Sequence, residues 1–345
     1  MIMEVKIIPV SAMADFVGEL LKQHKVLAPV RRDGICVYDW LASPQQFDLT
    51  CTIPRNSAKA ALLPRTEVLF HYQLGKDKDE VIPPPAPKPQ VLLGLHPCDI
   101  RAINVLDAVF SAEPAPDQPY LARRALTTLI GHGSPDDVPA AFFLDLGIDP
   151  LDNRDSDLFL VPLGSGRYAL EIITDKGRSL APAYQSFKNA ASEDLALIAE
   201  YRRQSAAKVK QGYDLEALQI KLEKIFESSV WNDIHDKCVG CGICTFLCPT
   251  CHCFDIQEET RGNKGTRVRV WDTCQFELFT RHASGHNPRL SQKARTRQRI
   301  MHKFCYGIGK FKIPFCVGCG RCVIYCPMNN DLRTILKKIQ EIPGA

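Results

Sequence analysis

The chain has 345 residues, 45% of them hydrophobic and 24% charged, the values of an ordinary globular protein with room for two or three domains and a sizeable core. A formal net charge of +4 is too small to point to nucleic acid, and no apolar run approaches the ~18 residues of a membrane span. Fifteen cysteines mean disulfides or metal; Glu4 and Lys6 interrupt the start where a secretion signal would be apolar, so metal in a reducing cytoplasm is expected.

In chain order, residues 1–36 read as a helix followed by a strand. Phe16, Val17, Leu20 and Leu21 recur at helical spacing, and Gly34 to Trp40 reads as a strand. Cys36 and Cys51 read as small buried hydrophobes. A strand is expected over Val68–Tyr72. The proline-rich run Val81–Pro89 is then a stiff surface connector, unable to form a helix or a central strand. Val91–Leu95 reads as a buried strand, His96–Arg101 as its exit loop, and Ala102–Phe110 as the next helix, with Asp99 suited to the N-cap. A strand, a loop and a helix N-terminus often hold a ligand in α/β folds, and Cys98 lies in that loop. Short strands are expected over Leu126–Ile130, Ala140–Leu144, Leu158–Val161 and Tyr168–Ile173.

These elements predict an α+β chain in three parts: an N-terminal α/β domain over 1–180, a helical hairpin connector over 181–230, and a ferredoxin-like domain over 231–345 interrupted by an insertion at 249–315. The connector helices are separated at Gly212, and the tail after residue 331 reads as a short helix.

Chemistry enters with a repeated run. Cys238-x-x-Cys241-x-x-Cys244-x-x-x-Cys248-Pro249 recurs as Cys316-x-x-Cys319-x-x-Cys322-x-x-x-Cys326-Pro327. This is the bacterial two-cluster iron–sulfur spacing, in which the fourth cysteine serves the other cluster. The expected ligand sets are Cys238, Cys241, Cys244 and Cys326 for one [4Fe-4S] cluster, and Cys316, Cys319, Cys322 and Cys248 for the other. Zinc would call for paired Cys-x-x-Cys knuckles instead. Gly240, Gly242, Gly318 and Gly320 are expected to let the backbone approach the clusters and donate N–H groups to them. Ile243, Phe246, Val323 and Tyr325 are expected to exclude water.

Between the runs lie sixty-seven residues holding Cys251, Cys253, Cys274 and Cys305. They also hold the basic stretch Arg289–Lys303, with six Arg or Lys. It reads either as a solvated helix face or as a contact for an acidic partner subunit or a nucleotide-binding module. No dinucleotide or phosphate-loop fingerprint occurs, so the chain itself is expected to perform no bond-making chemistry.

The segments PQVLLGLHPCDIRAINVLDAVF, WNDIHDKCVGCGICTFLCPTCHCFDI, RVWDTCQF, SGHNPR and FCVGCGRCVIYCP resemble, in order and spacing, the beta subunit of cytoplasmic sulfhydrogenases. One of the subunits of anaerobic sulfite reductase is similar. The resemblance spans roughly residues 15–335. It implies an electron-transfer subunit between a flavin subunit handling NAD(P)H and a catalytic subunit. That catalytic subunit is a nickel–iron hydrogenase in one branch and a sirohaem sulfite reductase in the other. Related subunits feed heterodisulfide-reductase-type complexes. One departure stands out: family members usually carry cysteines around a Cys-x-Cys pair in the middle of the first domain, where this chain reads Ala140–Leu144.

Cys98, Cys251, Cys253 and Cys274 lie in motifs shared with the family and could ligate a third [4Fe-4S] cluster. The alternatives are buried free thiols, or a set using Cys305, His252 or His286. A self-standing ferredoxin-like carrier and an enzyme binding substrate at a third cluster are the competing functional readings.

Overall fold

The computed structural model describes residues 4–133, 138–210 and 212–342. Its strands are β1 Glu4–Pro9, β2 Lys25–Arg32, β3 Ile35–Trp40, β4 Thr66–Gln73, β5 Glu80–Ile82, β6 Gln90–Leu95, β7 Thr127–His132, β8 Leu158–Gly164, β9 Arg167–Ile172, β10 Lys188–Asn189, β11 Phe254–Arg261 and β12 Lys264–Trp271. One sheet runs β10-β1-β9-β8-β7-β6-β2-β3. Its inner strands β2, β6, β7 and β8 are parallel, and the flanking pairs are antiparallel.

Every residue of β6 and β7 is buried, as expected of parallel strands covered on both faces. Val91, Leu93 and Ile130 face a core with Phe16, Val17 and Leu20 of the first helix. Leu92, Leu95 and Leu129 face another with Ile103 and Leu106. Period-two alternation, interrupted by the register shift at the left-handed Gly94, thus sorts one run of apolar residues into two layers.

The helix after β6 spans Pro97–Phe110 and starts a turn earlier than the sequence suggests. His96 is its N-cap and Asp99 lies within the first turn. Pro97, with no N–H to orphan and a φ already helical, opens the helix where an exit loop was expected. Ala140–Leu144 forms no strand. Its chain turns into a short 3-10 turn at Leu144–Leu146, because the partner of Phe142 N–H is the Gly318 carbonyl, at 2.7 Å, and not a neighbouring strand. Cys36 and Cys51 are not separate thiols: the structure joins them as a disulfide, with Cα atoms 5.9 Å apart, inside the bridging range.

A second, antiparallel sheet runs β11-β12-β4-β5. Strands β11 and β12 form a hairpin inside the insertion, and β12 pairs with β4 from the first part of the chain, Thr266 opposite His71. The insertion is thereby stitched to the N-terminal part. Buried Arg269 on β12 binds Glu67 of β4 and also Asp117.

The connector helices Ser192–Lys208 and Leu215–Lys224 form as expected. Leu218 and Leu222 share a core with Trp231, Ile300, Phe304 and Leu336, so the second connector helix, the insertion and the tail helix Leu332–Gln340 pack as one body. The tail expected beyond, 343–345, lies outside the described residues. Ser291 caps the insertion helix Gln292–Met301, accepting from Ala294 N–H. A π turn over His302–Tyr306 continues it, and such turns are often functional. Among the described residues no helix is long and apolar enough to cross a membrane.

Candidate metal centre

The two cysteine runs fold almost identically. In each, the glycine after the second cysteine is left-handed, Gly242 at φ 76° and Gly320 at φ 77°. Each starts a single helical turn carrying the third cysteine, Ile243–Phe246 in one run and Arg321–Ile324 in the other. The Gly242 carbonyl accepts from Thr245 and Phe246 N–H, and the Gly320 carbonyl from Val323 and Ile324. A chain that must bend this sharply before a helical turn needs glycine at the left-handed position.

The cysteines meet across the runs. Cys238, Cys241 and Cys244 line one cavity together with Cys322 and Cys326, the third and fourth cysteines of the other run. Gln292 Nε2 lies 3.3 Å from Cys238 Sγ, and the Asn330 backbone N–H donates to Cys326 Sγ at 3.3 Å. Cys241 is exposed, whereas Cys248, Cys316 and Cys319 are buried. Burial pushes the Cys316 thiol up to about 12, with Lys303 opposing and Cys322 adding to the rise; Cys248 adds a smaller share. Burial likewise raises Cys319 to about 11, and Cys248 and Cys322 act on it too. These mutual effects gather Cys248 with the second run. Thiols so raised ionise only when something positive arrives, which a cluster iron supplies.

Cations are built into the same space. Arg295, Arg299 and Lys303 recur four residues apart and are all buried, at 8%, 8% and 3% exposure. Half of the basic residues of 289–303 are therefore not a solvated face: Arg299 and Lys303 turn toward the cysteines, Arg295 is held by the Arg289 and Leu290 carbonyls and Gln292 Oε1, and Arg289, Lys293 and Arg297 stay half-exposed. Lys303 Nζ lies 3.1 Å from Cys248 Sγ, 3.2 Å from Thr250 Oγ1 and 2.9 Å from the Phe315 carbonyl. Burial opposes its charge, yet Cys248 and Cys251 hold its pKa well above the usual lysine value. Arg299 lines the first cavity; among the described residues its Nε has no hydrogen-bond partner. It is acted on by Cys244 and Cys322, one from each run. Lys59 is equally buried, donating to the Cys251 carbonyl at 2.8 Å and lying 4.3 Å from the Trp271 ring centre.

Buried cations without carboxylate partners are costly unless an anion is to be bound. A cubane carried by four thiolates is such an anion, and the donor set, the cavity and the cations fit it. Among the described residues, no three His, Cys, Asp or Glu converge tightly enough to hold a single metal ion. Cubane ligands stand at separate corners and need wider spacing.

The glycines do more than was read from the sequence. A Cβ on Gly318 would lie 2.5 Å from Phe143 N, and one on Gly320 2.8 Å from the Ala140 carbonyl carbon. On Gly240 it would meet Gln292 Oε1 at 2.6 Å, and on Gly242 Thr273 Cγ2 at 3.0 Å. Their bare sides are turned toward neighbouring protein, so the absent side chain admits the 140–143 loop against the second run.

Cys251 lies beside Cys248, and Cys253 beside Cys274. Contact with Cys253 lowers the Cys274 thiol to about 6. Cys98 keeps other company, packing with Ala102, Val138, Phe143, Ile148, Val317 and Cys319. Its neighbours include the stretch that departs from the family pattern. His252 Nδ1 contacts the Thr250 carbonyl at 3.0 Å amid Phe110, His302 and Phe315. His286 is exposed, and Cys305 is a buried core residue. Sequence reasoning missed Lys59, Gln275, Gln292, Arg299, Lys303 and Arg321. Only the four-residue spacing of 295, 299 and 303 carried a signal.

The second run is also clamped to the first part of the chain. Arg321, fully buried, binds Asp99 through both nitrogens at 2.7 and 2.9 Å and donates to the Pro54 carbonyl at 2.8 Å. Tyr38 Oη donates to Asp99 at 3.1 Å.

A 4Fe-4S dicluster domain family matches residues 237–330. Over 332 residues, 95% of this chain and 96% of the relative, the sequence is 30% identical to sulfhydrogenase 2 subunit beta of Pyrococcus furiosus. The chain belongs to the sulfhydrogenase beta-subunit family. No solved structure matches it. Membership makes this sulfhydrogenase-type chain a mixed α/β protein with a C-terminal iron–sulfur dicluster domain, and supports an electron-transfer role related to hydrogenases.

Proposed function

We propose that the chain relays single electrons through two [4Fe-4S] clusters, held by Cys238, Cys241, Cys244 and Cys326, and by Cys316, Cys319, Cys322 and Cys248. The carrying observation is that the first run's three cysteines share one cavity with Cys322 and Cys326 of the second run, beside an Arg299 Nε without a partner among the described residues. The spacing, in which the fourth cysteine crosses over, gives Cys326 to the first set. When bound, a cubane supplies one-electron chemistry with little change of shape. The protein's part is to hold the thiolates, keep water from the second set and place cations nearby. The organisation proposed is an α/β unit over 1–180, a connector over 181–230 and the dicluster unit over 231–345.

The relay runs between a flavin subunit using NAD(P)H and a hydrogenase catalytic subunit, in the cytoplasm. The relative's name, which makes it one subunit of a sulfhydrogenase, supports the hydrogenase end of this relay. Purification of the native complex tests it: a co-purifying nickel-containing large subunit is expected, and its absence sinks the hydrogenase assignment.

For a third cluster, Cys251, Cys253 and Cys274 are proposed as ligands, supported by the buried cations around them: Lys59 and Lys303 beside Cys251, Lys59 beside Cys253, and Arg299 and Lys303 beside Cys274. Cys98 was the fourth expected ligand; its apolar surroundings support a thiol that stays free. Iron and acid-labile sulfide counts decide, about twelve irons per chain with a third cluster and about eight without. Cys274→Ser should then lower the count while Cys98→Ser leaves it unchanged; a drop in Cys98→Ser restores Cys98 as a ligand.

A further inference from the structure

The stripe on the insertion helix treats the two cysteine sets unequally. Arg299 stands between them, acted on by Cys244 of the first set and by Cys322 and Cys248 of the second. Lys303 touches only the second set, through Cys248 Sγ at 3.1 Å. Cys238 of the first set receives a neutral donor instead, Gln292 Nε2 at 3.3 Å. Gln292 is fixed in turn by Gln275 Oε1 at 3.1 Å. One helix thus offers a neutral amide at its first residue, a shared guanidinium two turns on, and an ammonium in the π turn beyond.

We propose that this helix sets the two cluster potentials apart: Lys303 raises the second cluster's alone, Arg299 raises both, and Gln292 adjusts the first. The inference rests on the two-cluster reading above. On reduction a cluster gains one electron and one negative charge from an external donor, and no proton moves. A fixed cation close by therefore favours the reduced form, and it does so strongly where water is excluded and screening is weak. The second set's buried cysteines and the three short contacts that hold Lys303 Nζ meet both conditions. The π turn matters because an uninterrupted helix would carry residue 303 to a different angle.

The test is a mediated redox titration of the whole chain followed by electron paramagnetic resonance, with iron and sulfide counted in every sample. Two midpoints are expected from the paired runs in the unaltered chain, with a further one where the iron count shows a third cluster. Lys303→Met should move one of them to more negative potential and Gln292→Leu should move the other. Arg299→Gln should lower both. Lys303→Arg, which keeps the charge, should restore the value lost in Lys303→Met, and Lys303→Gln serves if the methionine variant loads poorly. Loaded clusters whose midpoints ignore Lys303→Met, or move together in it, overturn the charge assignment and leave the relay standing. A wild-type chain without iron overturns the relay reading, and the assignment with it.

Discussion

Asp99 and Arg321 form an ion pair with both partners sealed from water, at 2% and 0% side-chain exposure. Such a pair adds little net stability over an apolar substitute, but removing one partner strands the other charge. Asp99→Ala should cost about 3–5 kcal/mol, measured as a lower melting temperature of the loaded chain; an unchanged melt would mean that Arg321 finds compensation from Cys319 or the cluster. At this scale the dicluster cysteines were legible because their function dictates their spacing. Asp99 was read as a helix cap, because its partner Arg321 lies 222 residues away and no local pattern announces it. Lys303 was hidden for the same reason: a lysine in a basic stretch looks solvated until the fold shows what faces it.

Among the elements, the 140–143 loop packs closely against the second cysteine run, backbone to backbone. Gly318→Ala would put a Cβ 2.5 Å from the Phe143 backbone nitrogen at a left-handed φ of 62°. Backbone strain alone is of order 1–3 kcal/mol, and the collision adds to it. Gly262→Ala is the matched control: the hairpin glycine has φ 61° and nothing within 4 Å of a new Cβ. Gly318→Ala should melt lower than Gly262→Ala and retain less iron; equal behaviour would show that the loop yields freely. The buried strands β6 and β7 were readable from their apolar runs. The β11–β12 hairpin was not, because β11 is almost wholly exposed and polar and its signal is diluted by charge. The Ala140–Leu144 stretch misled by looking apolar; its burial is against a cysteine loop and not within a sheet.

Across the whole molecule, buried histidines set an acid limit. His132 is buried on β7, and desolvation, reinforced by neighbouring His96, lowers its pKa to about 3. His302 is lowered to about 3 as well, by burial and then by His252. A depressed folded pKa means that the unfolded chain takes up protons first. The stability these groups contribute is present above pH 6.5, their ordinary value, and is lost as pH falls from there toward 3. Denaturation midpoints measured across that range should fall less steeply in His132→Phe than in the unaltered chain; parallel curves would clear His132 of the effect.

Cys241 is the one free cysteine among the described residues that is exposed, and this gives oxidative damage an address. Dissolved oxygen or peroxide meets the cavity at Cys241, while Cys316, Cys319 and Cys248 of the second set lie behind protein and Cys322 is half-buried at the same cavity. Air exposure should therefore release iron in two phases, the first cluster's share early and the second's late. On the proposed assignment of Cys326 to the first set and Cys322 to the second, each loss also loosens a ligand loop on which the survivor depends. The chain's lifetime in air is then governed by its most accessible thiolate, whatever the stability of its core.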